Sequence, residues 1–121
     1  MSFDEVRFGG AVVVKADQRI DLSNADAFRD ALTAAVAGAA SAVIVDMSSA
    51  DYISSAGLRA LTIANRAAKA AGKVVVVAAL TPLVAEIFTI SRFNLVFSTF
   101  ATVREAQEGA SPDGLGQFDA A

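Results

Sequence analysis

Two adjacent hydroxyls, Ser54 and Ser55, stand before Gly57 and an apolar repeat in the stretch DYISSAGLRAL, residues 51–61. A serine does covalent chemistry either as a nucleophile with a base beside it or as the acceptor of a phosphoryl group delivered by another enzyme. The chain contains no His and no Cys. No Lys lies close in sequence to supply the base, and the G-x-S-x-G elbow of serine hydrolases is absent. A hydrolase built on Ser55 therefore lacks its machinery. A phosphate-binding loop of the type G-x-x-x-x-G-K-[ST] is missing too, which disfavours a nucleotide-binding module. The missing His and Cys remove ordinary zinc sites, and no acidic loop has EF-hand spacing, so no metal or cofactor is expected.

What remains for the serines is the mouth of a helix. A Ser there accepts hydrogen bonds from the free N–H groups of the first turn and stabilises the helix by about 1 kcal/mol. The same position suits a phosphate, because a helix N-terminus carries roughly half a positive charge and several free donors. Modification at that place adds about −1.5 to −2 charges without unfolding the helix. Capping and phosphorylation are both open from the pattern alone. Gly57 offers close backbone access beside the serines or, equally, close packing of helix on sheet.

Elements that position these residues follow from periodicity. Phe3–Phe8 and Ala11–Lys15, joined by Gly9-Gly10, read as an antiparallel hairpin whose second strand fades towards Ile20. Asp21, Ser23 and Asn24 offer caps for a helix over 25–37 with Phe28, Ala31, Leu32, Ala35 and Val36 on one face. Ala42–Met47 is a continuous apolar run ending around Asp46, as expected of a strand buried on both faces. A loop over 48–52 leads to the second helix, which starts at Ser54 or Ser55, reaches Ala71 and stops at Gly72. Its buried stripe is expected at Leu58, Leu61, Ala64, Ala68 and Ala71. Arg59, Ile63, Arg66 and Ala70 fall on another face, where two arginines flanking an apolar residue form a docking edge beside Ser55 or a plain solvated surface. Lys73–Ala79 is a further buried strand, Thr81-Pro82 opens a helix to Ile90, Asn94–Phe97 is a last strand, and 102–108 is a closing helix. Residues 109–121, rich in Gly, Pro, Ser and Asp, read as a disordered tail that Phe118 can partly dock.

The chain has 121 residues, of which 55% are hydrophobic, and a formal net charge of −3. That is one domain with ample core. The mild negative charge argues against nucleic-acid binding. No segment is long enough to insert into a membrane and no leading signal is visible, so a cytoplasmic protein is expected. Alternating strands and helices after a hairpin indicate an α/β fold: a mixed, largely parallel sheet with an N-terminal antiparallel hairpin and helices packed against it. Asp21, Asp46 and Asp51 are expected to gather around Ser55 at the ligand-binding end of that sheet. Each also has a local use: Asp21 as a helix cap, Asp46 as acceptor for loop N–H groups, Asp51 as a solvated loop residue.

The stretch VIVDMSSADYISSAGLRAL resembles the signature of STAS domains, in particular the bacterial anti-sigma factor antagonists. That pattern is a buried strand ending in Asp, a short loop, an aromatic or apolar pair, then Asp/Ser-Ser-Ser/Ala-Gly-Leu opening a helix. RIDLSNADAFRDAL resembles the family's upstream loop and first helix, with Asp21 at the loop Asp. AGKVVVVAALTPLVAEIFTISRFNLVFSTFATVREA resembles its later elements. The resemblance spans residues 4–108, which places a STAS domain at 1–108 and the tail beyond it. Two positions depart from the pattern: Ser54 stands where Asp is common, and Gln18-Arg19 where many members carry Gly-Glu or Gly-Arg.

The resemblance implies partner switching. The unphosphorylated chain binds a cytoplasmic serine kinase of the GHKL ATPase type that is also an anti-sigma factor, freeing that factor's other client. The kinase, with its own ATP and Mg²⁺, phosphorylates the serine two before the Gly, which is Ser55 (Ser54 being the second choice), and is released. A PP2C-type phosphatase reverses the step. The chain is then a substrate and ligand rather than an enzyme. Partner contacts are expected from Asp21, Ser23, Asn24, Asp46, Ser54, Ala56, Gly57, Arg59, Ile63 and Arg66. The competing reading within the family is a non-switching STAS subunit of a stressosome or of a lipid-transport complex.

Overall fold

The structure is a computed structural model that describes residues 3–121. Three strands of nearly unbroken apolar sequence form its centre: β2 (Ala11–Lys15), β4 (Ala42–Asp46) and β6 (Val74–Ala78). With β1 (Glu5–Phe8) and β7 (Thr99–Phe100) they make one sheet in the order β1-β2-β4-β6-β7. Only the β1–β2 pair is antiparallel; its turn is Gly9-Gly10, with Gly9 at φ 58°. A left-handed residue suits the twist of a tight hairpin.

The apolar runs are continuous because both faces of the sheet are covered, and the two-residue period of a strand sorts the side chains between them. Val12, Val14, Val43, Val45, Val75 and Val77 enter the larger core, under α1 (Ala25–Gly38), α2 (Ser55–Ala70) and α3 (Pro82–Ile90). Ala11, Val13, Ala42, Ile44, Val76 and Ala78 face the opposite side, where Ala106 of α4 (Val103–Ala110) lies on them. Small side chains on that second face bring α4 close to the sheet.

A second sheet of two short parallel strands, β3 (Arg19–Ile20) and β5 (Tyr52–Ile53), was not anticipated. Each is two residues long, below the length at which alternation is visible. Asn94–Phe97, expected as the last strand, is instead part of a 3-10 turn over Phe93–Leu95 and the residues after it. Phe93 and Phe97 stack with centroids 5.9 Å apart, and Phe93 also meets Phe88 at 5.9 Å. In a strand, residues four apart share a face but stand about 13 Å apart, so rings stacked at 5.9 Å need a helical turn. Ala71, expected in the buried stripe of α2, is exposed at the helix's C-cap, while Gly57 and Ala60 are buried there. Thr81 takes the N-cap position of α3, yet its hydroxyl donates to the carbonyl of Ala50 at 2.7 Å and so ties that helix to the β4–β5 loop.

Residues 109–121 are folded, contrary to the expectation from composition. After α4 come a 3-10 turn at Pro112–Gly114 and α5 (Leu115–Ala120). Their polar residues serve the hairpin turn, whose N–H groups have no strand partner. The Gly10 N–H donates to Asp113 Oδ2 at 3.1 Å, and the Gly9 N–H to Gln117 Oε1 at 2.9 Å. Phe118 packs edge-on against Phe8 at 5.1 Å. Arg104 grips Asp119 through two bonds of 2.9 and 3.0 Å.

Candidate functional site

The β3–β5 ribbon sets the site. β3 leads into α1 and β5 into α2, so pairing Arg19 with Tyr52 and Ile20 with Ile53 brings the two helix starts side by side. Arg19 lies over the Tyr52 ring at 4.4 Å, and Gln18 Nε2 donates to Asp51 Oδ2 at 2.9 Å. Gly57 packs α2 onto this ribbon. A Cβ at that position would stand 2.6 Å from Ile53 Cγ1 and 2.7 Å from Ile20 Cγ2. Of the two uses considered for Gly57, the structure displays close packing.

The two serines have separate roles at the helix start. Ser54 is the N-cap: its Oγ accepts from the Gly57 N–H at 3.3 Å, and its N–H donates to the carbonyl of Ile20 at 2.8 Å. Ser55 is the first helical residue. It is exposed, and its hydroxyl has no hydrogen-bond partner among the described residues.

Asp21, Ser23 and Asn24 build the turn from β3 to α1. Asp21 Oδ1 accepts from the Ser23 N–H at 2.9 Å and the Ser23 hydroxyl at 2.5 Å, and Oδ2 from Arg19 Nε at 3.2 Å. The Ser23 hydroxyl and N–H, with a smaller part from Arg19, hold the Asp21 carboxyl below its ordinary pKa. The Asp21 side chain thus stabilises its own turn and does not cap α1; its carbonyl receives the N–H of Ala25 at 2.9 Å. Asn24, buried, stands at the N-cap position without a capping bond from its side chain. Its Oδ1 accepts from the Asp21 N–H at 2.9 Å and its Nδ2 donates to the Arg19 carbonyl at 2.8 Å. Asp46 ends β4 and accepts from the Ser48 N–H at 2.9 Å.

Two clefts flank α2 at this end. One, of about 600 Å³, lies between α1 and α2 and is lined by Leu22, Asp26, Arg29, Ser55, Ala56, Arg59 and Ile63, among others. The other, of about 550 Å³, lies on the opposite flank and includes Ser55, Arg59, Ile63, Arg66, Ser91 and Phe93. Ser55, Arg59 and Ile63 line both, so they form the ridge between them. Asp21, Ser23, Asn24, Asp46, Asp51, Ser54 and Gly57 line neither. The acids expected around Ser55 thus stay outside both clefts. Asp26 is the one acid lining either cleft, against Arg29, Arg59 and Arg66. Asp21 and Asp46 accept N–H groups of the turns they begin, and Asp51 accepts from Gln18 on the neighbouring segment.

Leu22, Arg29, Ser91 and Phe93 are not among the partner contacts expected from the sequence. Leu22 is 84% exposed, an unusual position for a leucine beside a cap cluster. Arg29 reaches the clefts on α1, Ser91 at the C-cap of α3 and Phe93 in the 3-10 turn, placements that depend on tertiary structure and carry no local signal.

No curated protein sequence matches the chain. Solved structures share its fold at low identity. An assigned anti-sigma factor antagonist from Thermotoga maritima superposes with TM-score 0.82 at 14% identity, covering 89% of this chain and 93% of the other. An anti-sigma factor antagonist from Mycobacterium paratuberculosis gives 0.81 at 22%, covering 90% and 92%. The anti-sigma factor antagonist SpoIIAA in its unphosphorylated form gives 0.75 at 18%, covering 88% and 94%. The model of the STAS domain matches residues 3–106, from the hairpin into α4 and across the whole Ser54–Gly57 helix start. With its mixed sheet, its hairpin and that match over most of its length, the chain belongs to the STAS domain family.

Proposed function

We propose that this protein is an anti-sigma factor antagonist that binds a serine-kinase anti-sigma factor through the ridge at Ser55 and is released when Ser55 is phosphorylated. The observation that carries this reading is the division of labour at the start of α2. Ser54 supplies the cap, and Ser55 is left exposed with an unengaged hydroxyl between two arginine-lined clefts. A hydroxyl that holds nothing together can be modified without loss of fold. Support also comes from SpoIIAA, whose solved structures include a phosphorylated and an unphosphorylated form.

The chemistry belongs to the partner. A kinase of the GHKL ATPase type brings ATP and Mg²⁺; Ser55 Oγ displaces ADP from the γ-phosphorus and its proton passes to a base of the kinase. A PP2C-type phosphatase returns the hydroxyl. Ala56, Arg59, Ile63 and Arg66 make the direct contacts in this reading. Asp21, Ser23, Asn24 and Asp46 act by fixing the loops beside them, and Ser54 and Gly57 by fixing the helix start. An added charge desolvated at an interface costs several kcal/mol, so affinity should fall by about a hundredfold or more on phosphorylation.

The test is a pull-down from the native host lysate with wild type, Ser55→Ala and Ser55→Asp, read by mass spectrometry. The expected result is an ATPase-type serine kinase held by wild type and Ser55→Ala and lost with Ser55→Asp. Identical partners for all three, with no phosphoserine, would contradict the switch and favour a non-switching subunit of a stressosome or lipid-transport complex.

A further inference from the structure

Taking Ser55 as the phosphoacceptor, on which this inference rests, the surroundings of the phosphate follow from its helix. Side chains four apart on a helix share a face, with Cβ atoms about 5–6 Å apart, and an anion placed N-terminal to a cation is the favourable order. The residue four after Ser55 is Arg59, and the two line both clefts together. Arg59 is exposed and has no carboxylate partner among the described residues. No Asp or Glu occurs within α2, Ser55–Ala70, to compete for it. Arg29, across the first cleft, is already engaged by Asp26 at 3.5 Å and Asp30 at 3.1 Å. Arg66 lies eleven positions further along the chain, about three turns up the helix.

We propose that Arg59 is the phosphate-holding residue of the modified chain. Phosphorylated Ser55 takes the Arg59 guanidinium into an ion pair within α2 and withdraws it from both clefts. Guanidinium and phosphate match in geometry, with paired N–H donors facing phosphate oxygens. One modification then alters the ridge twice: it adds a dianion and removes a cation that the unmodified surface presents to a partner. The folded helix needs no rearrangement, since Arg59 only changes rotamer.

The test installs phosphoserine at position 55 during translation, so it needs no cellular kinase. Absence of the modification in cells would sink the switch and leave this measurement readable, and the reverse also holds. The ³¹P shift is followed through the second phosphate ionisation, near pH 6 in an unperturbed phosphoserine. Ionisable groups lining the clefts beside Ser55 are Asp26 and Arg29 on α1 and Arg59 and Arg66 on α2, and Arg19, Asp21 and Asp51 stand on the adjoining ribbon and its flanking loops. The N–H groups of α2 act equally in every variant. Arg59→Ala is expected to raise that pKa by about half a unit or more, about threefold in proton affinity. Arg59→Lys should recover part of the shift, and Arg66→Ala should match wild type. Equal values for wild type and Arg59→Ala would overturn the proposal. So would equal rises for Arg59→Ala and Arg66→Ala, which would mean a diffuse basic field.

Discussion

Ser54 and Gly57 are joined by a hydrogen bond of 3.3 Å, and the residues at either end of it can be altered separately. Ser54→Ala removes the cap and should destabilise the fold by about 1 kcal/mol in a denaturant titration, while leaving Ser55 available for modification. Loss of modification in that variant would assign Ser54 more than capping. Gly57→Ala behaves differently. Alanine favours a helix over glycine by about 1 kcal/mol, but the new methyl would meet Ile53 at 2.6 Å and Ile20 at 2.7 Å. Overpacking of that kind typically costs about 1–3 kcal/mol, so the variant should be net less stable. Adding Ile53→Val should recover little of the loss, because it removes only the Cδ1 contact at 3.2 Å and keeps a carbon at the Cγ1 position. A stabilised Gly57→Ala protein would show that the ribbon yields.

At the scale of elements, the ribbon of β3 and β5 places α1 beside α2, and α5 holds the hairpin turn from the other face. The second arrangement depends on acid. Asp119 is held below its ordinary pKa chiefly by its bond from Arg104, and Asp113 chiefly by the Ser111 hydroxyl, with the Gly10 N–H contributing. A carboxyl whose folded pKa is depressed adds stability that is fully present above the unfolded value, about 4. That stability is lost as pH falls through the lower folded value. Docking of α5 should therefore weaken below about pH 4, seen as faster amide exchange at Gly9 and Gly10 before the sheet interior exchanges. Arg104→Ala should reproduce part of that loosening at neutral pH. Exchange at those amides that stays flat down to global unfolding would mean the tail is held by contacts that do not titrate, the Gln117 bond to Gly9 and the packing of Phe118 on Phe8.

For the whole molecule, the two-sided sheet explains what could be read in advance. β2, β4 and β6 announce themselves as apolar runs because both faces are buried, and Asp46, Ser54, Gly72 and Pro82 punctuate the elements between them. The start of α2 and its exposed arginines were legible for the same reason: helix caps and helix faces are local. What was not legible is what two distant segments decide together. Strands of two residues, such as Arg19–Ile20 and Tyr52–Ile53, exist only by pairing with each other. Asn94–Phe97 reads as a strand, but Phe97 stacks on Phe93, which itself packs on Phe88, and that arrangement turns the chain into a helical turn. The tail's Gly, Pro, Ser and Asp read as disorder because their acceptors serve a hairpin more than 100 positions away. Around Ser55 the same division holds: Arg59 and Arg66 lie on its own helix and are legible, whereas Arg29 is brought to the cleft by the packing of α1 on α2.

In the proposed switch a single hydroxyl, that of Ser55, carries the signal. The most direct measurement is phosphosite mapping by mass spectrometry on wild type, Ser54→Ala and Ser55→Ala, each purified from the native host. The expected result is phosphate on Ser55 in the first two and no phosphate in the third. Phosphate persisting on Ser54 in Ser55→Ala, or none at Ser55 in wild type, would contradict it.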